Sequence, residues 1–203
     1  MRKTIILSLM VLASLQGMAQ HAKEAKEILD KTAAVVGHRE GASASFTISG
    51  GGGSIGTTHG YVAIKGNKFY ARTPQATVWF NGKTQWTYMK STNEVSVTTP
   101  NEAKLAQLNP YKFITLYKSG YTLGMKKAGN AYLIHMQAQN KQRSLQELFV
   151  TIGKDHTPSK VKIRQGQNWT TISISHFKTE RLSDAIFSFR AKDFPKAEIV
   201  DLR

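Results

Sequence analysis

The feature that most constrains this chain is a run of short apolar segments, separated by turn residues, between residues 60 and 99. At its centre the pair Asn81-Gly82 lies between two segments in which apolar residues alternate with other residues. Both residue types tolerate the positive φ of the tight turns that join antiparallel strands, so the pair predicts a β-hairpin. A two-residue turn pairs Trp79 with Thr84.

Both faces of this hairpin carry large apolar groups, because successive side chains of a strand point to opposite sides. One face carries three aromatic residues, Trp79, Trp86 and Tyr88. The other face carries Val78, Phe80 and Met89. A sheet of this kind must be covered on both faces or must bind a ligand on one of them. We expect the face that carries Trp86 to line a ligand site.

The rest of the chain repeats the strand pattern and interrupts it twice with helical spacing. A helix is predicted over residues 22–36, ended by Gly37, and a second helical segment runs from 101 to about 119, broken at Asn109-Pro110. The remaining segments give about eleven strands. Antiparallel sheets of that size curl, so we expect an α+β fold. It is a single strongly curved antiparallel sheet, an unclosed half-barrel, with helices covering its concave face.

The first 19 residues have the pattern of a secretory signal peptide. Arg2 and Lys3 precede an apolar run over residues 5–15, and small residues follow up to Ala19. The run is short for a membrane-spanning helix, which disfavours the alternative of a retained anchor. We therefore predict cleavage after Ala19, export, and a single domain over residues 20–203. The chain has no cysteine, so neither a disulfide nor a lipid-modified cysteine is expected.

Basic residues outnumber acidic ones strongly. Without Arg2 and Lys3, the 28 basic side chains become 26, against 13 acidic ones, which leaves a net charge of +13. Such a charge favours nucleic acid, membrane headgroups, lipopolysaccharide or an acidic protein, and export argues against nucleic acid. The alternative is a solvated basic surface that serves no particular ligand.

Little in the chain predicts catalysis. The histidines lack the spacing of metal ligands, and no pair of carboxylates has the arrangement of a glycosidase. The glycine-rich segment 50–56 matches the pattern G-x-S-x-G, but a strand pattern follows it where a nucleophile elbow needs a helix. A hairpin loop is the better interpretation. We expect no enzyme activity, no metal and no cofactor.

Four short motifs follow one another along the chain: residues 44–47, residues 81–88, Asn109-Pro110-Tyr111 and residues 187–189. In this order they resemble an A-S-F-x strand, a D-G-K-x-x-W-x-Y hairpin, an Asn/Thr-Pro-Phe signature and a closing F-x-F. These are motifs of the periplasmic outer-membrane lipoprotein carrier family (LolA-type). The resemblance covers nearly all of residues 20–203.

The resemblance implies an incomplete β-barrel whose apolar concave face holds the acyl chains of lipoproteins. The helix at 22–36 and the segment 105–117 form its lid. The residues expected to line the acyl-chain cavity are Phe46, Ile48, Phe69, Ala71, Trp79, Trp86, Tyr88, Leu105, Leu108, Tyr111 and Ile114. The implied location is the periplasm. The implied partners are acylated lipoproteins, an inner-membrane ABC transporter that releases lipoproteins, and an outer-membrane acceptor.

The chain departs from the family at one position. The family carries an arginine before the turn at Gly66-Asn67, where it hydrogen-bonds the lid and controls its opening. Here Lys65 occupies that strand end and is the expected gating residue, although an ammonium lacks the planar fork of a guanidinium. Two other functions stay open: a binding module for another amphiphile, such as lipopolysaccharide or another lipid, and a protein-interaction or envelope-sensing domain of the same fold.

Overall fold

In the parts of the chain that the structure describes, one twelve-stranded sheet carries two α-helices and three 3-10 turns. This computed structural model describes residues 20–50, 56–101, 110–118 and 120–203, with only the backbone of residues 110–112. Helix α1 covers residues 20–36, and α2 covers Pro110–Thr115 and continues into the turn Leu116–Lys118. The other two turns are Asp184–Phe187 and Ala191–Asp193. The strands are β1 (Ala42–Gly50), β2 (Thr58–Lys65), β3 (Lys68–Arg72), β4 (Ala76–Phe80), β5 (Gln85–Met89), β6 (Glu94–Thr98), β7 (Tyr121–Ala128), β8 (Ala131–Ala138), β9 (Glu147–Gly153), β10 (Pro158–Gln165), β11 (Asn168–Thr179) and β12 (Glu198–Asp201).

The strands form one sheet in the order β12-β6-β5-β4-β3-β2-β1-β11-β10-β9-β8-β7. All neighbouring pairs are antiparallel except β12 and β6, which are parallel. The sheet is strongly curled, and it stays unclosed because β12 and β7 are its two edges. The predicted fold class is therefore confirmed, with twelve strands where about eleven were expected. The parallel edge strand is the C-terminal one.

The helices lie on one face of the sheet, which we call the inner face. The buried residues of α1 follow the three-to-four-residue spacing of an amphipathic helix: Ala25, Ile28, Leu29, Thr32, Ala33 and Val36. Its apolar members share one core cluster with completely buried residues of β8 and β9, namely Ile134, Met136, Leu148, Val150 and Ile152. On β1, β4 and β11, by contrast, several inward residues are only half-buried. The helices thus fill one half of the curled sheet more fully than the other.

The β4–β5 hairpin forms with a register different from the one predicted. Trp79 pairs with Trp86, so the connection has four residues and not two. The side-chain oxygen of Asn81 accepts hydrogen bonds from the backbone N–H groups of Lys83, at 3.0 Å, and Thr84, at 2.9 Å. These bonds stabilise the longer loop, as asparagine commonly does in turns. The predicted division of faces is confirmed, since a shift of two residues keeps every side chain on its side.

On the opposite, outer face, the C-terminal segment 181–203 covers β3–β5. Phe187 is completely buried, and the rings of Phe189 and Phe194 lie 5.5 and 5.6 Å from the ring of Trp79. Helices cover the inner face, and this segment covers the outer face of β3–β5. Each face of the hairpin packs against a different part of the chain, which explains why both faces are apolar.

Candidate functional site

The less filled half of the curled sheet contains an apolar cavity of about 430 Å³. Inner side chains of β1–β4 form one wall, and those of β10 and β11 form the other. Residues of α1, of α2 and of the loop before β9 form the roof. This volume falls in the range of roughly 300–1,000 Å³ that is typical of small-molecule sites.

Strand alternation supplies the lining, because every second residue points inward. The first wall consists of Phe46, Ile48, Val62, Ile64, Phe69, Ala71 and Val78, and the second of Val161, Ile163, Ile172, Ile174 and Phe177. Val36, Phe113, Ile114 and Leu145 close the roof. Apart from Ser43 of β1, the lining residues of these three surfaces are aliphatic or aromatic, so a ligand held here is held mainly by apolar contact.

Three of the four polar lining residues lie at one end of the cavity, and the fourth, Ser43, lies near the start of β1. Thr73 follows the end of β3, Gln165 ends β10, and Thr170 lies near the start of β11, all at the same end of the sheet, which we call the upper end. No charged side chain of the described chain lines the cavity. The arrangement suits an apolar ligand whose polar part lies at the upper end.

Gly60 makes the first wall possible. It pairs with Phe46 across β1 and β2, and the Phe46 ring lies over it. A Cβ atom at this position would come within 2.6 Å of the carbonyl oxygen of Arg72 and would overlap the Phe46 ring. Glycine is therefore needed here so that the ring can lie flat along the cavity wall.

Five of the predicted site residues lie on the cavity surface: Phe46, Ile48, Phe69, Ala71 and Ile114. Their contact with a ligand remains a prediction. Leu105 and Leu108 lie outside the described residues, and so does the side chain of Tyr111, whose backbone belongs to α2.

The expectation that the Trp86 face lines the cavity is wrong. Trp79, Trp86 and Tyr88 lie on the outer face, where Trp79 and Tyr88 contact Phe194 of the C-terminal segment. The inner face of the hairpin carries Val78, which lines the cavity. The physical reason is that the bulky aromatic rings are buried by other aromatic rings, whereas the smaller side chains leave space under the roof.

The expected gating role of Lys65 also needs correction. Its Nζ atom donates to the carbonyl oxygen of Leu182 at 2.9 Å and lies 3.0 Å from Oδ1 of Asp184. Asp184 also pairs with Lys68, and hydrogen bonds from both ammonium groups, Lys65 first, lower the pKa of its carboxyl group. Lys65 thus fastens the C-terminal segment to the outer face and is directed away from the roof.

One wall of the cavity contains none of the residues predicted to line it. Val161 and Ile163 of β10 and Ile172 and Ile174 of β11 alternate with polar residues, as any half-buried strand does. That alternation identified the two strands, but it contained no information on whether their apolar side faces a helix or a cavity. The topology decides this, because it places β11 next to β1 and so brings both walls together.

The roof is tied together by the carboxylate of Asp30 in α1. The hydroxyl group of Tyr117, in the turn after α2, donates a hydrogen bond to it, and Lys26 Nζ lies 3.0 Å from its other oxygen. These hydrogen bonds, with that from Tyr117 the largest cause, hold the pKa of Asp30 below its usual value of 3.8. The two roof elements are therefore linked at the protein surface.

The described residues contain no group of three or more histidine, cysteine or acidic side chains placed to hold a metal ion. Within the same ranges, no helix has both the length and the apolar character needed to cross a membrane.

Comparisons with known proteins found a matching family model and several similar solved structures. Residues 15–167 match the family model described as outer membrane lipoprotein carrier protein LolA. An uncharacterized conserved protein from Thermus thermophilus is similar in structure, with a TM-score of 0.58 and 15% identity over 88% of this chain and 99% of that one. A LolA superfamily protein from Nitrosomonas europaea gives a TM-score of 0.46 and 10% identity over 81% and 97% of the two chains. Mycobacterium tuberculosis lipoprotein LppX gives a TM-score of 0.45 and 9% identity over 79% of this chain and 99% of that one. No curated protein sequence matches the chain.

Proposed function

Because this chain belongs to the LolA family of outer membrane lipoprotein carriers, we propose that it is a periplasmic carrier of acylated lipoproteins. It takes up their acyl chains in the cavity and ferries them from the inner to the outer membrane. The observation that carries this proposal is the apolar cavity between the roof and the two walls of the curled sheet.

The physical properties of the cavity suit acyl chains. Each methylene moved out of water contributes about 0.8 kcal/mol, so ten of them contribute about 8 kcal/mol before the cost of ordering the chain. Flexible chains need no precisely placed donors, and the lining supplies few. A catalytic function, by contrast, needs polar groups that converge on a reacting atom, and the described lining has no charged side chain.

The proposal includes export and partners. Residues 1–19 lie outside the described residues, and their assignment as a signal peptide rests on the sequence alone. An inner-membrane ABC transporter would load the carrier, and an outer-membrane acceptor would unload it. The carrier itself binds and releases its cargo without chemical change.

Binding of a fluorescent fatty-acyl probe tests the proposal directly. We expect a micromolar or lower Kd for the wild-type protein. Ala71→Leu adds carbon atoms to the cavity wall and excludes about two methylenes of the ligand, which raises Kd roughly tenfold.

The matched control is Ala185→Leu, the same change at an exposed position of the turn Asp184–Phe187. It should leave the Kd unchanged. Absence of probe binding to the wild type, or equal weakening by the two variants, would contradict the proposal. In cells, depletion of the protein should leave lipoproteins in the inner membrane. Normal sorting, with probe binding retained, would assign the cavity to another amphiphile.

A further inference from the structure

A second, open groove of about 760 Å³ lies on the outer face, at the upper end of the sheet. Its wall contains five aromatic side chains from β2–β5 and the C-terminal segment: Tyr61, Tyr70, Trp79, Tyr88 and Phe194. The rings follow one another across the strands, with centroids 6.2 Å apart for Tyr61 and Tyr70 and 6.0 Å apart for Tyr70 and Trp79. Binding of acyl chains in the cavity does not explain why this groove exists on the opposite face.

The groove carries uncompensated positive charge. Arg72 and Lys90 line it with exposed side chains, and neither makes a side-chain hydrogen bond or an ion pair to any residue that the structure describes. Some other outer-face lysines are paired with acidic side chains, as Lys178 is with Glu180 at 2.9 Å. No aspartate or glutamate of the described ranges lines the groove. Its charge is therefore available to an anionic ligand.

The groove and the cavity meet at the β3–β4 turn. Thr73 lines both of them. Along β3, Ala71 points into the cavity and Arg72, the next residue, points into the groove. Hydrogen bonds between Thr73 and Ala76 close the turn, with the Thr73 hydroxyl oxygen accepting from the Ala76 N–H at 3.1 Å. A ligand that leaves the cavity over Thr73 therefore enters the groove that Arg72 and Lys90 line.

We propose that the groove binds an anionic group that is covalently linked to the acyl chains held in the cavity. The proposal rests on the acyl-binding function and adds the class of ligand: an anionic amphiphile bent over the β3–β4 turn. Arg72 offers a planar fork of donors that matches a phosphate or a carboxylate, and Lys90 adds a second charge. The Tyr61 and Tyr70 rings flank the polar linker. The anionic group is either the phosphodiester of a phospholipid or the carboxylates of a lipoprotein next to its lipidated residue.

Displacement of the fatty-acyl probe by two matched pairs of competitors tests this. The first pair is palmitoyl lysophosphatidylglycerol and monopalmitoylglycerol, which share the chain and its ester-linked glycerol and differ in the anionic phosphodiester. The second is a diacylated lipopeptide with two glutamates after its cysteine and the same peptide with two glutamines. We expect the anionic member to bind roughly tenfold more tightly in at least one pair, about the effect of two exposed charge contacts. The pair that shows the preference identifies the source of the anion.

Two double variants locate the effect. Arg72→Gln/Lys90→Gln should abolish the preference and leave the affinity for the probe unchanged. Lys160→Gln/Lys162→Gln removes the same charge from exposed positions of β10 that do not line the groove, and it should keep the preference. Equal affinities within both pairs, or loss of the preference in the β10 variant, would overturn the assignment of this groove while acyl binding stands. If the wild type fails to bind the probe, the proposed function itself falls.

Discussion

At the scale of single residues, the Asp30 carboxylate has a defined effect on stability. It accepts a hydrogen bond from Tyr117 and pairs with Lys26 and, at 3.7 Å, with Lys118. Its pKa is lowered in the folded protein. A group with a depressed folded pKa stabilises the fold above its unfolded pKa, and this contribution is lost as the pH falls through the folded pKa.

Asp30→Asn is therefore expected to lower the free energy of unfolding at pH 7 by about 1 kcal/mol, the typical contribution of such a hydrogen bond. The difference from the wild type should shrink as the pH falls below about 4, where the unfolded carboxyl group is protonated. Urea denaturation at a series of pH values measures it. Glu27→Gln, at an exposed position of α1 with no ion pair to a described residue, is the control and should show little change. If the difference in free energy of unfolding between Asp30→Asn and the wild type stayed constant below pH 4, the role given to Asp30 would be contradicted.

At the scale of elements, β11 contains a bulge that reshapes the cavity. Ser43 pairs with Lys178 and Ser45 with Ser175, so β11 has one residue more than β1 between these pairs. His176 lies in the bulge with φ of 52°. The extra residue reverses the alternation, so that Phe177 lines the cavity together with Ile174.

The positive φ of His176 limits which residue types this position tolerates. His176→Val should lower the free energy of unfolding by about 1–2 kcal/mol, because a β-branched residue is strained in the left-handed region. His176→Gly should cause no such loss, since glycine adopts this conformation freely. Ser175→Val, an exposed neighbour in the same strand, is the matched control. Equal tolerance of valine at both positions in thermal denaturation would show that the bulge is not held as described.

At the scale of the whole molecule, the sheet separates the face on which the C-terminal segment packs from the face that contains the acyl cavity. The segment 181–203 covers the outer face of β3–β5, where it packs phenylalanine rings on Trp79, and it adds β12 beside β6. The inner face is only partly filled by the roof and keeps its cavity. The two faces share strands but use alternate residues, so a change on one side need not disturb the other.

This separation predicts that Phe194→Ala costs stability without costing ligand affinity. Removing a half-buried ring that contacts Trp79 and Tyr88 should lower the free energy of unfolding by about 2 kcal/mol. The Kd for a fatty-acyl probe, measured below the unfolding transition, should stay the same. Phe194→Leu keeps most of the apolar contact, so its free energy of unfolding should lie between those of the wild type and Phe194→Ala. A parallel loss of affinity and stability would place the ligand on the aromatic face instead.

Much of the architecture was predictable because it depends on local patterns. The spacing of Ala25, Leu29 and Ala33 predicted α1, and alternation predicted most strands. The division of faces in the β4–β5 hairpin was predicted correctly although its register was not. Side chains of a strand alternate between faces, so a register shift of two residues leaves each one on the same face. The candidate site was less predictable. Lys65 pairs with Asp184, far along the chain, and no local pattern contains that contact.

Patterns among neighbouring residues were enough to predict the type of fold and the two-sided apolar character of residues 60–99, and the family motifs are equally local. Such periodicities and short turns depend on residues close together in the chain. Which face of the hairpin is the inner one depends instead on contacts between distant segments. Val78 and Trp79 are both apolar, and alternation places them on opposite sides without saying which side meets the roof. That choice depends on Phe189 and Phe194, which pack on Trp79 only once the C-terminal segment has crossed the outer face.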